Sequence, residues 1–523
     1  METIGASCLS LKIVDNNGQP ENDNLLGGST LTLSSHEKKT FNGRWPQICA
    51  SLFAASFHIG NGISLAYSAV LISQLDKGTD ENLRPSTTQK SWIASVLIIV
   101  IPVASAICGL LMDSIGRLNT IKIAGLPGII GWIMIALANN IPVIIVGRLL
   151  IGISSAWGTS PGIVYITEIA STDIRGTLMS ITPVYVSLGM CLTYFLGWIM
   201  DWRTLAWICN VFVVVPCLLC FLIPESPTWL IWKRKDESAK KALKYFCKNQ
   251  PELDNRSYAD VQFEQLKREQ DLKRKEQDSS NSIRKFKEFL KPTGYKPLLF
   301  FVGIFLFQHF SGIFITMFYS IQFIEAAGTS IDPYIASILI GFVRLIMSLV
   351  STALLSKFNR RSLIFCSTIG MSICMFLSGL FTKWIQDKTT TYTWVPVACI
   401  LLYVVFSIVG LLPIPNMLLA ELFPLEIRGM GYNIGYIIFS MFMFSALQSY
   451  FTLLSFFGGA THLQWFFSVI SLGGLVYSFI FLPETFNVKL ADITKYYEHR
   501  TMHIGHQEAN KNESNSNNNK IVI

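Results

Sequence analysis

Long runs of apolar residues, each separated from the next by a polar or charged turn, dominate this chain. A helix rises about 1.5 Å per residue, so roughly 18 to 25 apolar residues cover a hydrocarbon core about 30 Å thick. About twelve runs meet this criterion and predict membrane-spanning helices, which we number in chain order as spans one to twelve. The predicted spans cover residues 47–70, 91–112, 121–138, 142–166, 180–199, 205–223, 298–319, 334–355, 362–381, 395–417, 431–452 and 464–482.

The chain carries the same spaced signature once in each half. Glu168 precedes Arg175-Gly176 and Glu421 precedes Arg428-Gly429, so corresponding residues lie 253 positions apart (421 minus 168, and 428 minus 175). A shorter motif also recurs, as Pro224-Glu225-Ser226 in the first half and Pro483-Glu484-Thr485 in the second. In each half it follows the second apolar run after the signature. Repeated halves of membrane helices are typical of secondary transporters, whose substrate site lies near the bilayer midplane between the halves.

Composition and charge support an integral membrane protein. Hydrophobic residues make up 51% of the 523 residues and charged residues only 15%, whereas about 25% of a typical soluble protein is charged. The net charge of +8 resides in connecting loops, which argues against nucleic-acid binding. The positive-inside rule predicts that these loops, and with an even number of spans both termini, are cytoplasmic. The loop cations are Lys233, Arg234, Lys235, Arg274, Lys275, Arg284, Lys285, Lys357, Arg360 and Arg361.

The composition divides the chain into five regions. We expect a disordered cytoplasmic tail (1–45), a six-helix bundle (46–231), a charged cytoplasmic linker (232–296), a second six-helix bundle (297–494) and a disordered Asn-rich cytoplasmic tail (495–523). The linker forms either short surface helices or a solvated segment. The polar start is no signal peptide, so span one is the expected targeting signal. The eleven cysteines lack disulfide or metal-binding spacing, so we expect packing residues, no metal site and no cofactor.

Further motifs follow in order along both halves of the membrane region. Together with the signatures above they resemble the sugar porter branch of the major facilitator superfamily, and among its members facilitative hexose and trehalose transporters. The resemblance implies an all-α membrane protein with twelve transmembrane helices in two six-helix bundles. The motifs that carry it are Gly116-Arg117, Arg148, Tyr165, Glu168, Arg175-Gly176, Pro224-Glu225-Ser226-Pro227, Gln308, Ser311-Gly312, Pro413-Ile414-Pro415 and Pro483-Glu484-Thr485.

Charged residues at the cytoplasmic ends of the spans form a candidate gate. Glu168 and Glu225 are expected acceptors for Arg117 and Arg175, and Glu421 and Glu484 for Arg360 and Arg428. The resemblance implies that this network holds the inner gate closed in the outward-facing state and parts in the inward-facing state. The alternative is positive-inside topology with helix capping. The candidate set is Asp113, Arg117, Glu168, Arg175, Glu225, Arg360, Glu421, Arg428 and Glu484, with Arg148 as a further arginine in span four.

Span seven carries a polar stripe that predicts part of the substrate site. Gln308, Ser311, Ile315 and Tyr319 fall on one face of a helix, and Gly312 permits local unwinding. The resemblance implies that Gln308 hydrogen-bonds sugar hydroxyls, since an amide both donates and accepts. The alternative role is a hydrogen bond between helices. The candidate substrate-binding residues are Gln308, His309, Ser311, Tyr319, Arg344 and Asn416.

Several positions depart from the sugar porter pattern, which leaves the identity of the sugar open. His309 and Phe314 replace amide residues of span seven, and Phe439-Ser440 replaces an Asn-Trp pair of span eleven. Spans four, five, eight and ten also differ. Their departures are Ile163 and Pro161 before Tyr165, Pro183 in place of Gln, Arg344 in place of Asn, and Asn416 in place of Trp.

Charge inside the membrane raises two further questions. Arg344 lies near the middle of span eight, where an arginine costs about 2.5 to 3.5 kcal/mol on insertion scales. It either contacts an anionic or carboxylate-bearing ligand or pairs with main-chain carbonyls or Glu325. No acidic residue lies near a span centre, which favours uniport over proton symport, although His58 or His309 could couple to protons.

We therefore predict facilitative transport of a sugar or sugar-like solute by alternating access. Alternatives are a nontransporting sugar sensor or a transporter retuned for an organic anion by Arg344. No nucleotide loop, metal cluster or activated nucleophile indicates an enzyme. The expected partners are a small solute and the lipid bilayer, without nucleic acid, and the protein is expected to be a plasma-membrane monomer. The sequons at Asn255 and Asn512 then lie in the cytoplasm.

Overall fold

The computed structural model describes residues 44–248, 257–278, 289–424, 427–485 and 497. Within these ranges the chain forms helices and turns and no strand. Residues 1–43, most of the predicted C-terminal tail, Arg284, Lys285, Asn255 and Asn512 lie outside the described residues.

The first half contains nine helices that form the predicted spans one to six. Apolar runs form their middles, and polar caps begin several of them. Asp201 accepts main-chain N–H bonds from Arg203 and Thr204 at 3.1 Å each, and Asn140 caps span four in the same way. The helices are Trp45–Ala55, Phe57–Lys77, Thr87–Ile99, Ile101–Ile115, Arg117–Ala136, Ile141–Ile169, Thr172–Met179, Ile181–Ile199 and Trp202–Leu219.

Glycines let spans one and five pack backbone against backbone. A Cβ atom built on Gly62 would lie 2.0 Å from the main-chain oxygen of Val186, and one on Gly189 would lie 2.1 Å from that of Ile59. No real side chain fits at these distances. Small residues at helix contacts are the usual way in which membrane helices pack closely, because lipid supplies little hydrophobic driving force between them.

Three helices follow span six: Pro227–Trp232, Asp236–Phe246 and Tyr258–Asp278. Leu243 and Phe246 are buried, whereas the lysines of the second helix lie on its other faces. Phe263 of the third helix is buried and receives two lysine side chains over its ring, Lys240 at 5.2 Å and Lys267 at 5.6 Å from the ring centroid. Hydrophobic contacts and lysine–aromatic contacts therefore hold these helices together.

The second half repeats the arrangement with two breaks. Span seven divides at residues 311–314, where Gly312 adopts a φ of 96°, and span ten divides at 410–413. Eleven segments of the described chain are long and apolar enough to cross a membrane as helices, and the divided span seven is not among them. The helices are Pro292–Phe310, Ile315–Phe318, Ser320–Ala326, Pro333–Lys357, Arg360–Gln386, Val395–Val409, Ile414–Glu421, Arg428–Phe456 and Ala460–Phe481.

The two halves are bonded to each other toward one face of the molecule, which we call the Lys77 face. Lys77 of span one pairs with Glu325 of span seven, Nζ to Oε1, at 2.8 Å. Four other side-chain hydrogen bonds between described residues also join the halves. They are Gln322 to the Ala69 carbonyl, Tyr334 to Ser73, Ser95 to Gln448 and Tyr194 to the Met317 carbonyl. We call the opposite face, where Arg117 begins span three, the Arg117 face.

Candidate functional site

Gln308 connects the break of span seven to the break of span ten. Pro413 cannot donate a main-chain N–H, and the break around it leaves carbonyl oxygens of span ten free to accept other donors. The Gln308 Nε2 donates to the carbonyls of Leu411 at 2.8 Å and Leu412 at 3.1 Å. Its Oε1 is buried and has no hydrogen-bond partner among the described residues. In this conformation Gln308 therefore offers a solute only an acceptor.

His309 lies in an aromatic cluster that the sequence did not reveal. Its ring stacks on Phe314 with centroids 4.9 Å apart and meets Phe439 edge to face at 4.6 Å. Its Nδ1 bonds the Phe305 carbonyl at 2.7 Å, and its Nε2 is buried without a partner in the described part of the chain. Three departures from the sugar porter pattern, His309, Phe314 and Phe439, thus contact one another as a packed group.

The side-chain hydroxyls of Ser311 and Tyr319 form hydrogen bonds within the second half. The Ser311 hydroxyl donates to the Gln308 carbonyl at 2.8 Å, and the Tyr319 hydroxyl donates to the Leu447 carbonyl at 3.1 Å. Both residues are fully buried. The division of span seven also ends the single helical face predicted for the stripe, because the 3.6-residue period does not run through 311–314. Asn416 lies half-buried on the helix Ile414–Glu421.

Arg344 is buried in the middle of span eight, with 8% of its surface exposed. Its Nε and Nη1 atoms have no hydrogen-bond partner among the residues that the structure describes. The predicted alternative of pairing with Glu325 is wrong, because Glu325 is bonded to Lys77. One turn earlier on span eight, Gly341 packs against Cys191 of span five. Arg344 therefore lies near the other half of the protein.

Arg148 of span four is fully buried, and each of its three guanidinium nitrogens donates a hydrogen bond. Nε donates to the Ile93 carbonyl at 3.1 Å, Nη1 to the Ser64 carbonyl at 2.6 Å, and Nη2 to the Ser68 hydroxyl. These acceptors belong to spans one and two. Arg148 therefore holds three spans of the first half together through neutral oxygens.

His58, the other histidine considered for proton coupling, is buried in span one. Its Nδ1 bonds the Ala55 carbonyl at 3.0 Å, and its Nε2 has no partner within the described ranges. It thus makes the same local bond to the preceding helical turn as His309.

The first half of the candidate gate is an ion pair at the Arg117 face. The Arg117 guanidinium bonds Glu168 through Nη2 at 2.8 Å and through Nε at 3.1 and 3.2 Å. Glu225 instead accepts main-chain N–H bonds from Arg117 at 3.2 Å and Leu118 at 3.0 Å. Burial raises the pKa of Glu225, and these N–H donors partly oppose that rise. Asp113 is mostly exposed, 3.9 Å from Arg117.

The second half repeats this arrangement with corresponding residues. Arg360 pairs with Glu421 at 3.1 Å, and Glu484 accepts main-chain N–H bonds from Arg360 at 3.2 Å and Arg361 at 3.3 Å. The repeated signature found in the sequence is thus a repeated structural unit, and each guanidinium–carboxylate pair lies within one half.

Two expected gate contacts need correction. Arg175 and Arg428 were expected to pair with glutamates. Arg175 instead donates to the Ala170 carbonyl at 3.1 and 3.3 Å, and Arg428 to the Phe423 carbonyl at 3.4 Å. Each arginine thus bonds a carbonyl five residues earlier, at the end of the preceding span. A capping contact of this kind satisfies a main-chain acceptor that the helix end leaves free.

Comparison with known proteins gives consistent matches over most of the chain. The family described as "Sugar (and other) transporter" matches residues 47–497. A facilitated trehalose transporter of Culex quinquefasciatus is 30% identical over 86% of this chain and 85% of its own length. A facilitated trehalose transporter of Aedes aegypti is 29% identical. The match covers 86% of this chain but only 55% of the length of that relative.

Solved structures show the same fold at lower sequence identity. The xylose transporter XylE from E. coli in an inward open conformation has a TM-score of 0.69 and 19% identity, over 85% of this chain and 98% of that one. The proton:xylose symporter XylE of the major facilitator superfamily, bound to 6-bromo-6-deoxy-D-glucose, has a TM-score of 0.66 and 20% identity. That match covers 86% of this chain and 99% of the symporter.

Proposed function

Because this chain belongs to the Sugar (and other) transporter family, we propose that it carries a sugar down its concentration gradient by alternating access. The predicted sugar porter family and major facilitator fold are confirmed. The observation that carries the mechanism is the one-sided contact between the halves. They bond to each other toward the Lys77 face, whereas the ion pairs of the Arg117 face stay within each half. This is the arrangement expected for one end state of a rocking transporter.

The proposed location of the protein is the plasma membrane. In the proposed orientation, the Arg117 face lies on the cytoplasmic side. Basic residues at the span ends and turns of this face, including Arg234, Lys357 and Arg361, support this orientation by the positive-inside rule. Both termini are then cytoplasmic, and the structure corresponds to a state closed toward the outside. The ion pairs of the Arg117 face are proposed to contribute to the inner gate in the opposite state.

Uniport is the proposed transport mode. The carboxylates of the described spans lie near span ends, as Asp113, Glu168 and Glu325 do, and the buried Arg148 bonds neutral oxygens. A midplane carboxylate of the kind that carries protons in pumps and symporters is thus missing from the described spans. The names of the matched relatives, facilitated trehalose transporters, point to the same mode and to trehalose as the first sugar to test.

Gln308 is the proposed sugar contact of the second half. Its Oε1, buried beside the break of span seven, is free to accept a hydroxyl bond, while its Nε2 holds the break of span ten. Solute binding at Gln308 would therefore act directly on the two broken spans. His309, Ser311, Tyr319 and Asn416 remain candidates that shape the same region.

Uptake of labelled trehalose, glucose, fructose and a polyol into oocytes tests the function. We expect saturable uptake that persists when an ionophore collapses the proton gradient, and that falls in Gln308→Ala. Gln464→Ala is the matched control, because Gln464 is a buried glutamine of span twelve that bonds Thr382. Uptake abolished by the ionophore contradicts uniport. Absence of any uptake despite surface expression contradicts transport and favours a sensor.

A further inference from the structure

Arg148 and Arg344, two buried arginines of the spans, differ in how their donors are satisfied. Arg148 donates three hydrogen bonds to oxygens of neighbouring spans. Arg344 is only 8% exposed, yet its Nε and Nη1 have no hydrogen-bond acceptor among the described residues. Leaving a buried donor unsatisfied destabilises a protein, and more so when the donor is charged. Arg148 is a structural arginine, whereas Arg344 has donors available for a ligand.

Arg344 lies at the seam between the two halves. One turn away, Gly341 packs so closely on span five that an added Cβ would lie 2.8 Å from the Cα of Cys191. On the same span, Tyr194 bonds the Met317 carbonyl of span seven at 2.6 Å. Arg344 therefore lies on a span that packs against span five, which in turn bonds span seven, in the part of the fold where a secondary transporter holds its solute.

The protein itself supplies no carboxylate to this cation within the described structure. Glu325, the acid at the end of span seven, is bonded to Lys77 at 2.8 Å. The acids of the gate lie at the opposite face, bonded to Arg117 and Arg360. A guanidinium only donates hydrogen bonds, and its strongest partners are carboxylates and other anionic oxygens. A cation in this position is stabilised most by a ligand that brings a negative charge.

We propose that Arg344 binds the carboxylate of a transported sugar acid, so that the solutes of this carrier include hexuronates. This inference rests on the proposed sugar transport and names its substrate class. In the bound state the carboxylate accepts from the guanidinium, and the hydroxyl-bearing ring extends toward span seven, where Gln308 offers an acceptor. The same two residues then distinguish sugar acids, which use both contacts, from neutral sugars, which lack the charge.

Uptake of labelled glucuronate and glucose by the full-length protein tests the inference, with Arg344→Gln and Arg344→Lys beside the wild type. Truncating one partner of a buried, hydrogen-bonded charge pair raises KM by about 30-fold or more. We expect this rise for glucuronate in Arg344→Gln, and a change of less than about threefold for glucose. Arg344→Lys keeps the charge and should retain part of the glucuronate uptake. The control is Ser348→Ala, because the Ser348 hydroxyl bonds only the Leu345 carbonyl of its own span.

Two further measurements separate the possible failures. Surface labelling and a thermal shift of the purified variants with glucuronate show whether Arg344→Gln folds; we expect glucuronate to stabilise the wild type and Arg344→Lys only. Glucose uptake without glucuronate uptake, or a parallel loss of both in Arg344→Gln, would overturn the proposal. Failure of every sugar instead contradicts the proposed function.

Discussion

The ion pair between Lys77 and Glu325 is expected to stabilise the state in which the halves meet at the Lys77 face. The two side chains belong to different halves, and their Nζ–Oε1 distance is 2.8 Å. Lys77 also lies over the ring of Tyr334, 5.6 Å from its centroid. Separation of the halves at this face must break the pair. We therefore predict that Glu325→Gln shifts the equilibrium toward the state that is open there.

The solvent exposure of the two side chains determines how far Glu325→Gln shifts the equilibrium. The side chains of Lys77 and Glu325 are 60% and 36% exposed, so water screens their attraction. Exposed pairs contribute about 0.2 to 1 kcal/mol, and 1 kcal/mol corresponds to about a fivefold change in an equilibrium constant at an RT of about 0.59 kcal/mol. We expect a shift of about 1.4- to fivefold toward the open state, which shrinks as salt is added.

The assay is the labelling rate of a cysteine introduced at Met317, which is 4% exposed and which we expect to become accessible when the Lys77 face opens. An impermeant thiol reagent is added from that side, and the parent protein supplies the background. Glu325→Gln and Lys77→Gln should each accelerate labelling, and the charge swap Lys77→Glu with Glu325→Lys should restore the slow rate. Asp76→Asn is the control, because Asp76 pairs with Lys90 inside the first half at 2.7 Å. The reasoning would be refuted if neither single variant changed the labelling rate. It would also be refuted if the charge-swap variant were labelled as fast as either single variant.

Other parts of the fold give equally specific expectations. Glu168→Gln should destabilise the protein by about 1.5 to 3 kcal/mol, seen as a lower thermal midpoint, because it removes the negative charge that the half-buried guanidinium of Arg117 bonds. Gly189→Leu should abolish surface expression, since its Cβ would meet a main-chain oxygen at 2.1 Å, whereas Gly176→Ala has open space and should be tolerated. Asp201→Ala should cost about 1 kcal/mol by removing a helix cap. Hydrogen bonds hold the pKa of Asp201 below its usual value, so this stabilisation should be fully present above the ordinary carboxyl pKa and should be lost progressively as pH falls from there through the lowered pKa.

The sequence by itself determined the class of protein, its family and the paired organisation of its halves. Hydropathy summed over about twenty residues is a local property, so the spans follow from composition without knowledge of their neighbours. The charged helix ends also predicted that the glutamates of each half accept from its arginines, and this holds for Arg117 with Glu168 and for Arg360 with Glu421. It fails for Arg175 and Arg428, because sequence spacing does not show which acceptor lies nearest.

Only the tertiary structure decided how the candidate site is bonded. Gln308 donates to carbonyls more than a hundred positions away, and the aromatic cluster of His309 includes a ring from span eleven. The exclusion of Glu325 as the partner of Arg344 depends on Lys77 of span one. Whether a buried polar atom finds a partner depends on ångström-scale distances between distant segments, and neither hydropathy nor spacing encodes those distances. The face at which the halves meet is likewise a property of the packed molecule, because one sequence serves both end states of a transporter.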